Sequence, residues 1–253
     1  MQEEKENVIS YYNQHVQHKL NDFIKTNPRI EEAWNTLIKH APKDVNAILE
    51  MGCGIGGITH KMNGNWPNAE VTGLDISTLS IQIAEKLFAN DKTHFVRGIL
   101  TPETFEEQFD FIVLMDVYEH ISPSDRPTVH AALNKGLKNK GRIFLSVPTP
   151  HNLKWSLKNK PETMQPVDEH ISFDVISKLA SDTGTEVLLY QMKDIWNPCD
   201  YLHIVLEKND DFELPFFTPK PVTFLERAKR ILNKSRYKAR SIYRRAFVKS
   251  KLK

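Results

Sequence analysis

Four glycines crowd into six positions, Gly52, Gly54, Gly56 and Gly57, with Cys53 among them, directly after the apolar stretch from Val45 to Leu49 and the acid Glu50. A strand feeding such a turn presents bare backbone to a ligand, where any Cβ would collide, and the N–H groups at the following helix start favour anionic or polar groups. A nucleotide-like cofactor is therefore expected at this turn. The next short strand, Ala69 to Ser77, carries Asp75 and Ile76 near its end, and the carboxylate of Asp75 can accept from both hydroxyls of a ribose. Two imidazoles stand where proton transfer is expected. His120 lies just beyond the apolar run Phe109 to Asp116, and His170 follows a long loop from Pro148 to Glu169. Either can take a proton from a hydroxyl nucleophile; either can equally serve a helix start by bonding backbone. His151 and Asn152 are further substrate-binding candidates. Cys53 reads as a small filler of the turn, with a nucleophilic thiol as the rival reading.

The glycines alone leave two cofactor classes open. Gly52, Gly54 and Gly57 satisfy G-x-G-x-x-G, the dinucleotide fingerprint. Glu50-x-Gly52-Cys53-Gly54-x-Gly56 also satisfies the E/D-x-G-x-G-x-G turn of the class I S-adenosylmethionine-dependent methyltransferases. Asp75 fits both. The later segments separate them. Met115-Asp116-Val117-Tyr118-Glu119-His120-Ile121 resembles the D-V-L-E-H-I segment after the fourth methyltransferase strand, Gly141 to Pro148 resembles their fifth, and His170-Ile171-Ser172-Phe173-Asp174 resembles their H-x-x-F-S helix start. The chain thus resembles, over roughly residues 10 to 208, the branch holding the ubiquinone-biosynthesis O-methyltransferases and many small-molecule and glycan methyltransferases.

The resemblance implies S-adenosyl-L-methionine as cofactor and S-adenosyl-L-homocysteine as product. It places Glu50, Gly52, Cys53, Gly54, Gly56, Asp75, Ile76, Gly98, Ile99, Met115 and Asp116 against the cofactor, and His120 and His170 at the reacting end as catalytic candidates. It also implies an N-terminal helical cap, from which an aromatic such as Tyr11 or Tyr12 can cover the site; packing into the core is the leading alternative for either tyrosine. Asp116-x-x-Glu119-His120, with His170 as a fourth ligand, resembles the E-x-x-E-H metal segment of some relatives. Its first position has the shorter Asp arm, and no metal is expected. One departure stands out: Arg97-Gly98-Ile99-Leu100 lacks the acid that contacts the adenine amine in the family, leaving Gly98 and Ile99 to do so through backbone and apolar surface. The D/N-P-P-Y/F box of amino-methylating enzymes is absent, since Val147-Pro148-Thr149-Pro150 is not that motif, so a hydroxyl acceptor leads. A small molecule, a lipid-linked intermediate or a saccharide would supply it. An RNA ribose methyltransferase, an NAD(P)-dependent oxidoreductase and a non-catalytic cofactor-binding scaffold are the alternatives.

The elements that must position these residues follow from the pattern along the 253-residue chain. Strands are expected at Val45–Leu49, Glu70–Leu74, His94–Arg97, Phe109–Met115 and Arg142–Val147, with helices between them, which argues for a parallel sheet covered on both faces. Thr185–Lys193 and Leu202–Lys208 are joined by a link too short for a crossover helix, so they form an antiparallel pair. The expected fold is α/β, a Rossmann-like three-layer sandwich on a seven-stranded, mostly parallel sheet with the last strand reversed. A cap spans residues 1–42, with one helix from Glu3 to Lys25 and another after Asn27-Pro28. The cofactor domain spans 43–210 and a Pro-rich linker 211–221.

Residues 222–253 form a basic tail with 12 Lys/Arg against one acid, Glu226. Thr223-Phe224-Leu225-Glu226 is a capping box. An amphipathic helix is expected, with Phe224, Leu225, Ile231, Leu232, Ile242 and Phe247 turned toward an anionic membrane surface; nucleic acid is the weaker partner. Two cysteines are too few for a disulfide framework or a zinc site. No leader and no membrane-spanning run is evident. A cytoplasmic protein is expected, peripheral at the inner membrane face through its tail.

Overall fold

The computed structural model describes residues 2–209, 237 and 240–252. The linker 211–221 and the capping box at 223–226 lie outside the described residues. The chain begins with three helices, α1 (Gln2–Gln14), α2 (Val16–Lys25) and α3 (Pro28–Lys39). The single helix expected from Glu3 to Lys25 is thus two. His15 separates them: its ring Nδ1 donates to the Tyr11 carbonyl at 2.7 Å and its imidazole stacks on the Tyr11 ring, centroids 3.9 Å apart. A side chain that competes for a helical carbonyl in this way breaks the run locally. At α3 the expected cap is present, with Asn27 accepting from the Arg29 N–H at 3.0 Å and Pro28 at the first helical position.

Seven strands follow, β1 (Ala47–Met51), β2 (Glu70–Asp75), β3 (Thr93–Arg97), β4 (Phe109–Met115), β5 (Leu137–Pro148), β6 (Glu186–Lys193) and β7 (Tyr201–Glu207). They lie in the order β3-β2-β1-β4-β5-β7-β6, parallel except for β7, which runs against both neighbours. The intervening helices are α4 (Gly57–Asn65), α5 (Thr78–Phe88), α6 (Arg126–Gly136), α7 (Pro150–Asn159) and α8 (Phe173–Thr183). Consecutive apolar strand residues face opposite ways, as the two-residue period of a strand demands. Leu49, Ile112, Leu114, Leu145 and Ile204 pack with α6 and α8, while Ile48, Val71, Phe111, Val113 and Phe144 pack with α3 and α4. This is the three-layer α/β sandwich expected.

β5 begins five residues earlier than the apolar run suggested. Leu137 pairs with Phe109, the register then shifts across the polar Lys138-Asn139-Lys140 before Arg142 pairs with Phe111, and Lys140, with a left-handed φ of 63°, donates its N–H to the Lys208 carbonyl at 2.6 Å.

Residues 240–251 are helical and lie on the cap. Val248 is buried and Phe247 stacks on Phe88 of α5 at 5.9 Å, within an apolar cluster that includes Val16, Leu20, Leu87 and Phe23. Arg244 stands over the Phe23 ring at 4.6 Å and donates to the Phe23 carbonyl at 2.9 Å. Phe247 is therefore committed to the protein's own domain rather than to the outward stripe expected for it, because α2 and α5 offer an apolar groove that covers it. Ile242 and Tyr243 do face outward, 74% and 71% exposed. Among the described residues no helix is long and apolar enough to cross a membrane.

Half-burial of a Phe ring in that groove is worth about 1–2 kcal/mol. Phe247→Ala should lower unfolding stability in urea by that amount, whereas Ile242→Ala should stay within about 0.5 kcal/mol. Equal effects from both would mean that the helix does not dock.

Candidate active site

The carboxyl ends of β1, β2 and β4 open into one cavity of about 1170 Å³, roofed by α1, α2 and the loop before α8. Single-ligand pockets rarely exceed about 1,000 Å³, so this volume suits two molecules side by side. The glycine turn forms its floor. Gly52 has φ +73°, and a Cβ there would stand 2.2 Å from Val117 Cγ2. Gly56, φ +80°, is the N-terminal cap of α4, and a Cβ there would meet the Phe95 ring at 2.7 Å. Both positions demand glycine for two reasons, conformation and space.

The end of β2 holds the turn in place. The Leu74 carbonyl accepts from Gly52 N–H at 2.7 Å and Cys53 N–H at 3.0 Å. Asp75, buried, accepts from Gly54 N–H at 2.7 Å on one oxygen and from Ser77 N–H at 2.8 Å on the other. Each oxygen retains a lone pair. Lys19 of α2 brings its Nζ to 3.9 Å from Asp75 and crosses Gly54. Glu50 is buried on β1 and accepts from the Thr59 hydroxyl; burial pushes its carboxyl up to about 8 against that hydrogen bond. Ile76, Gly98, Ile99 and Met115 line the same cavity. Cys53 is buried, and desolvation raises its thiol well above the usual range, so it fills the turn and carries no thiolate. Gly56 does its work as a cap and is not itself part of the cavity wall.

β4 ends in a strained residue. Asp116 has φ +55°, uncommon for a residue with a Cβ. It is held there by Arg29 Nε at 3.1 Å and by the Tyr201 hydroxyl, which donates to it at 3.0 Å; Arg29 in turn donates to Tyr201 at 2.9 Å. The triangle ties α3, β4 and β7 together below the cavity.

Beyond it a 3-10 turn, Tyr118–His120, carries the imidazole. His120 Nδ1 lies 2.7 Å from the Val167 carbonyl and 3.0 Å from Asp168, which makes Nδ1 the protonated nitrogen. Nε2 is left without a hydrogen-bond donor role to backbone, 3.8 Å from Glu119. Burial disfavours the imidazolium, but Glu119, Asp168 and the Val167 carbonyl together raise its pKa to about 9. Burial raises the neighbouring Glu119 carboxyl to about 7, against the pull of His120. The loop that supplies Asp168 is strapped to the cap, since Tyr12 donates to Gln165 at 2.9 Å and Gln165 N–H donates to Asp168 at 2.7 Å. Tyr11 and Tyr12 both line the cavity.

His170 falls outside. It precedes Ser172, the cap of α8, by two residues, does not line the cavity, and its buried Nε2 has no partner among the described residues. The expected position over the site is therefore not seen in the cavity lining. His151 lies exposed on α7. Among the described residues no three His, Cys, Asp or Glu side chains are placed to hold a metal ion. Asp168, Arg29, Tyr201, Lys19 and Gln165 are site residues that pattern reading missed. The one signal in the sequence is the Asp168-Glu169-His170 run, whose acid Asp168 lies against His120.

Residues 48–141 match the family model described as a methyltransferase domain. The matched stretch, from β1 into β5, carries a methyltransferase domain. The chain is 29% identical over 123 residues to the ubiquinone biosynthesis O-methyltransferase of Pasteurella multocida, covering 44% of this chain and 49% of that protein. It is 33% identical over 99 residues to the cyclopropane-fatty-acyl-phospholipid synthase of Escherichia coli, covering 39% and 25%. It spans about half or less of the length of these relatives. Among solved structures, a TehB-like SAM-dependent methyltransferase from Corynebacterium glutamicum shares the fold, with a TM-score of 0.58 at 20% identity over 79% of this chain and 99% of that one. The reversed β7 belongs to the methyltransferase sheet. S-adenosyl-L-methionine is the cofactor of such a domain, and the floor fits it. The turn at Gly52 admits no Cβ, Asp75 keeps acceptor capacity for hydroxyls, and Ile76, Ile99 and Met115 give apolar cover.

Two measurements check this geometry. Gly52→Ala combines positive-φ strain with a collision, together about 2 kcal/mol or more, and should weaken S-adenosylhomocysteine binding in calorimetry at least tenfold. Unchanged affinity would displace the turn from the cofactor. His120 has a folded pKa raised above its unfolded value, so its stabilisation is complete below about pH 6.5 and is lost as pH rises through about 9. His120→Gln should remove that alkaline loss from the urea-unfolding profile; an unaltered profile would place the titration elsewhere.

Proposed function

We propose that the chain transfers a methyl group from S-adenosyl-L-methionine to a hydroxyl of a small-molecule, lipid-linked or saccharide acceptor, with His120 as general base. The observation that carries this reading is the Asp168–His120 pair: Nδ1–H is fixed by Asp168 and the Val167 carbonyl, which leaves the Nε2 lone pair to receive a proton. S-adenosyl-L-methionine, when bound, supplies an activated methyl on a sulfonium. Everything else falls to the chain. Glu50, Gly52, Cys53, Gly54 and Asp75 would hold the cofactor's polar groups, with Gly56 capping α4 behind them, Ile76, Gly98, Ile99 and Met115 its base, and Asp116 would keep Arg29 and the end of β4 in place. Tyr12 and Gln165 close the roof and exclude water, and proximity then supplies much of the rate. The names of the relatives, one an O-methyltransferase and one acting on phospholipid acyl chains, support a hydroxyl or lipid-borne acceptor.

For location, the reading is a cytoplasmic enzyme that touches an anionic membrane through residues 222–253. Arg245, Lys249, Ile242 and Tyr243 are the exposed side chains that support such contact.

The test begins with calorimetric titration of S-adenosylhomocysteine beside NADH on the wild type and Asp75→Ala. Binding of the former alone, lost with Asp75, is expected; a signal only with NADH would overturn the reading. With an acceptor found by screening sugars, phenols and lipid-linked glycans, kcat/KM should rise with pH up to about 9, because base catalysis needs the imidazole neutral. His120→Gln should lower kcat by about 10²–10⁴-fold. Asp168→Asn should move the break in the profile to lower pH. A flat profile would remove His120 as the base.

A further inference from the structure

The C-terminal helix is not the only basic, apolar-tipped surface. α7 contains Lys154 and Lys158, no Asp or Glu, and is followed by Lys160. Only Leu153 is buried along it. At 100° per residue His151, Lys154, Trp155 and Lys158 fall on one face, and all four are exposed, Trp155 by 48%. Leu157 flanks the stripe at 46% exposure, and Lys160 Nζ stands over the Trp155 ring at 5.5 Å. A ten-residue helix that buries one side chain and shows solvent an indole among lysines is unexplained by the packing of the sandwich.

Its position is informative. α7 is anchored to the tip of the β6–β7 hairpin, where the Thr149 N–H donates to the Asp200 carbonyl at 3.0 Å and its hydroxyl to the Cys199 carbonyl at 2.8 Å. The Asp200 carboxylate gathers the N–H groups of Ile195, Trp196 and Asn197 at 2.8, 2.9 and 3.0 Å, which fixes that tip. Trp196, 55% exposed, lines the cavity and packs edge-on against Tyr201. Downstream of α7, Glu162, Thr163, Gln165 and Val167 line the cavity too. The helix is thus bracketed by walls of the site and shares their rim.

We propose that α7 and the Trp196 tip seat on an anionic lipid bilayer, so that the acceptor enters the cavity from the membrane plane. The inference rests on the lipid-borne branch of the acceptor reading. On the exposed side of α7 the two lysines stand between Trp155 and Leu157; indole rings settle in the headgroup region of a bilayer, lysine stems extend their charges to the lipid phosphates, and anionic lipid rewards each lysine. Nucleic acid would use the lysines but leaves Leu157 and the depth of two indoles without a role.

The test uses the full chain and vesicles of phosphatidylglycerol against phosphatidylcholine. The expected result is co-sedimentation with the former, weakened by high salt. Lys154→Glu with Lys158→Glu should cut partitioning at least tenfold, and Trp155→Phe should remove about half of the indole quenching by brominated lipid, Trp196 supplying the remainder. S-adenosylhomocysteine affinity, measured in parallel, should not change. Wild-type partitioning by the Lys154→Glu, Lys158→Glu variant would overturn the proposal and assign the contact to the C-terminal helix alone. No partitioning, or binding of single-stranded RNA that these substitutions abolish in the absence of vesicle binding, would overturn it as well. Loss of the methyl-transfer reading would show instead as absent S-adenosylhomocysteine binding with vesicle partitioning intact.

Discussion

The site depends on two consecutive residues at the end of β2. The Leu74 carbonyl takes two N–H groups of the glycine turn, and the Asp75 carboxylate takes one from Gly54 and one from the start of α5. A hydrogen bond to a charged group contributes about 1.5–3 kcal/mol, enough to hold a loop that has no side chains with which to hold itself. The same carboxylate faces the cavity. One buried acid therefore shapes the turn, starts a helix and keeps acceptor capacity for a ligand, which is why the turn after β1 can be so rich in glycine.

Around this clamp the floor of the cavity is crowded with buried charge. Asp116 is matched by Arg29 and Tyr201, whereas Glu50 faces Thr59 and Glu119 faces an imidazole. Unmatched carboxyls in such surroundings shift upward rather than stay ionised, and both do. His120 moves the same way because its partners are acids. The two carboxyls, pushed toward neutrality, mark a place where protons can be exchanged near physiological pH.

The sheet was legible because its strands are short apolar runs whose neighbours alternate faces. Ile48 and Leu49, or Phe144 and Leu145, are enough to require a layer on each side. The glycine turn, Asp75 and His120 were legible because chemistry there needs particular residue types at close spacing. Asp168 was not. It sits in an aperiodic loop, and its link to His120 spans 48 positions of sequence that only the fold brings together. Nothing local to Arg29, in the first turn of a helix, announces that Asp116 will lie opposite. The break at His15 was hidden for a different reason: histidine is compatible with a helix, and only its ring on the Tyr11 carbonyl disrupts this one. The early start of β5 was masked by its three polar residues.

That break has a kinetic consequence. None of the α1 side chains that are described is fully buried, while α2 beyond His15 inserts Val16 and Leu20 into the core. α1 is fastened mainly at Tyr12–Gln165 and at Asn13, which accepts from the Ser77 hydroxyl at 2.7 Å. Segments with few buried apolar contacts open at a small fraction of the global unfolding free energy. The roof can therefore peel back at His15 while the sheet and α2 stay folded. Traffic through the cavity is then governed by a local fluctuation of one helix, and backbone amide protons of α1 exchange with solvent well ahead of those in α2.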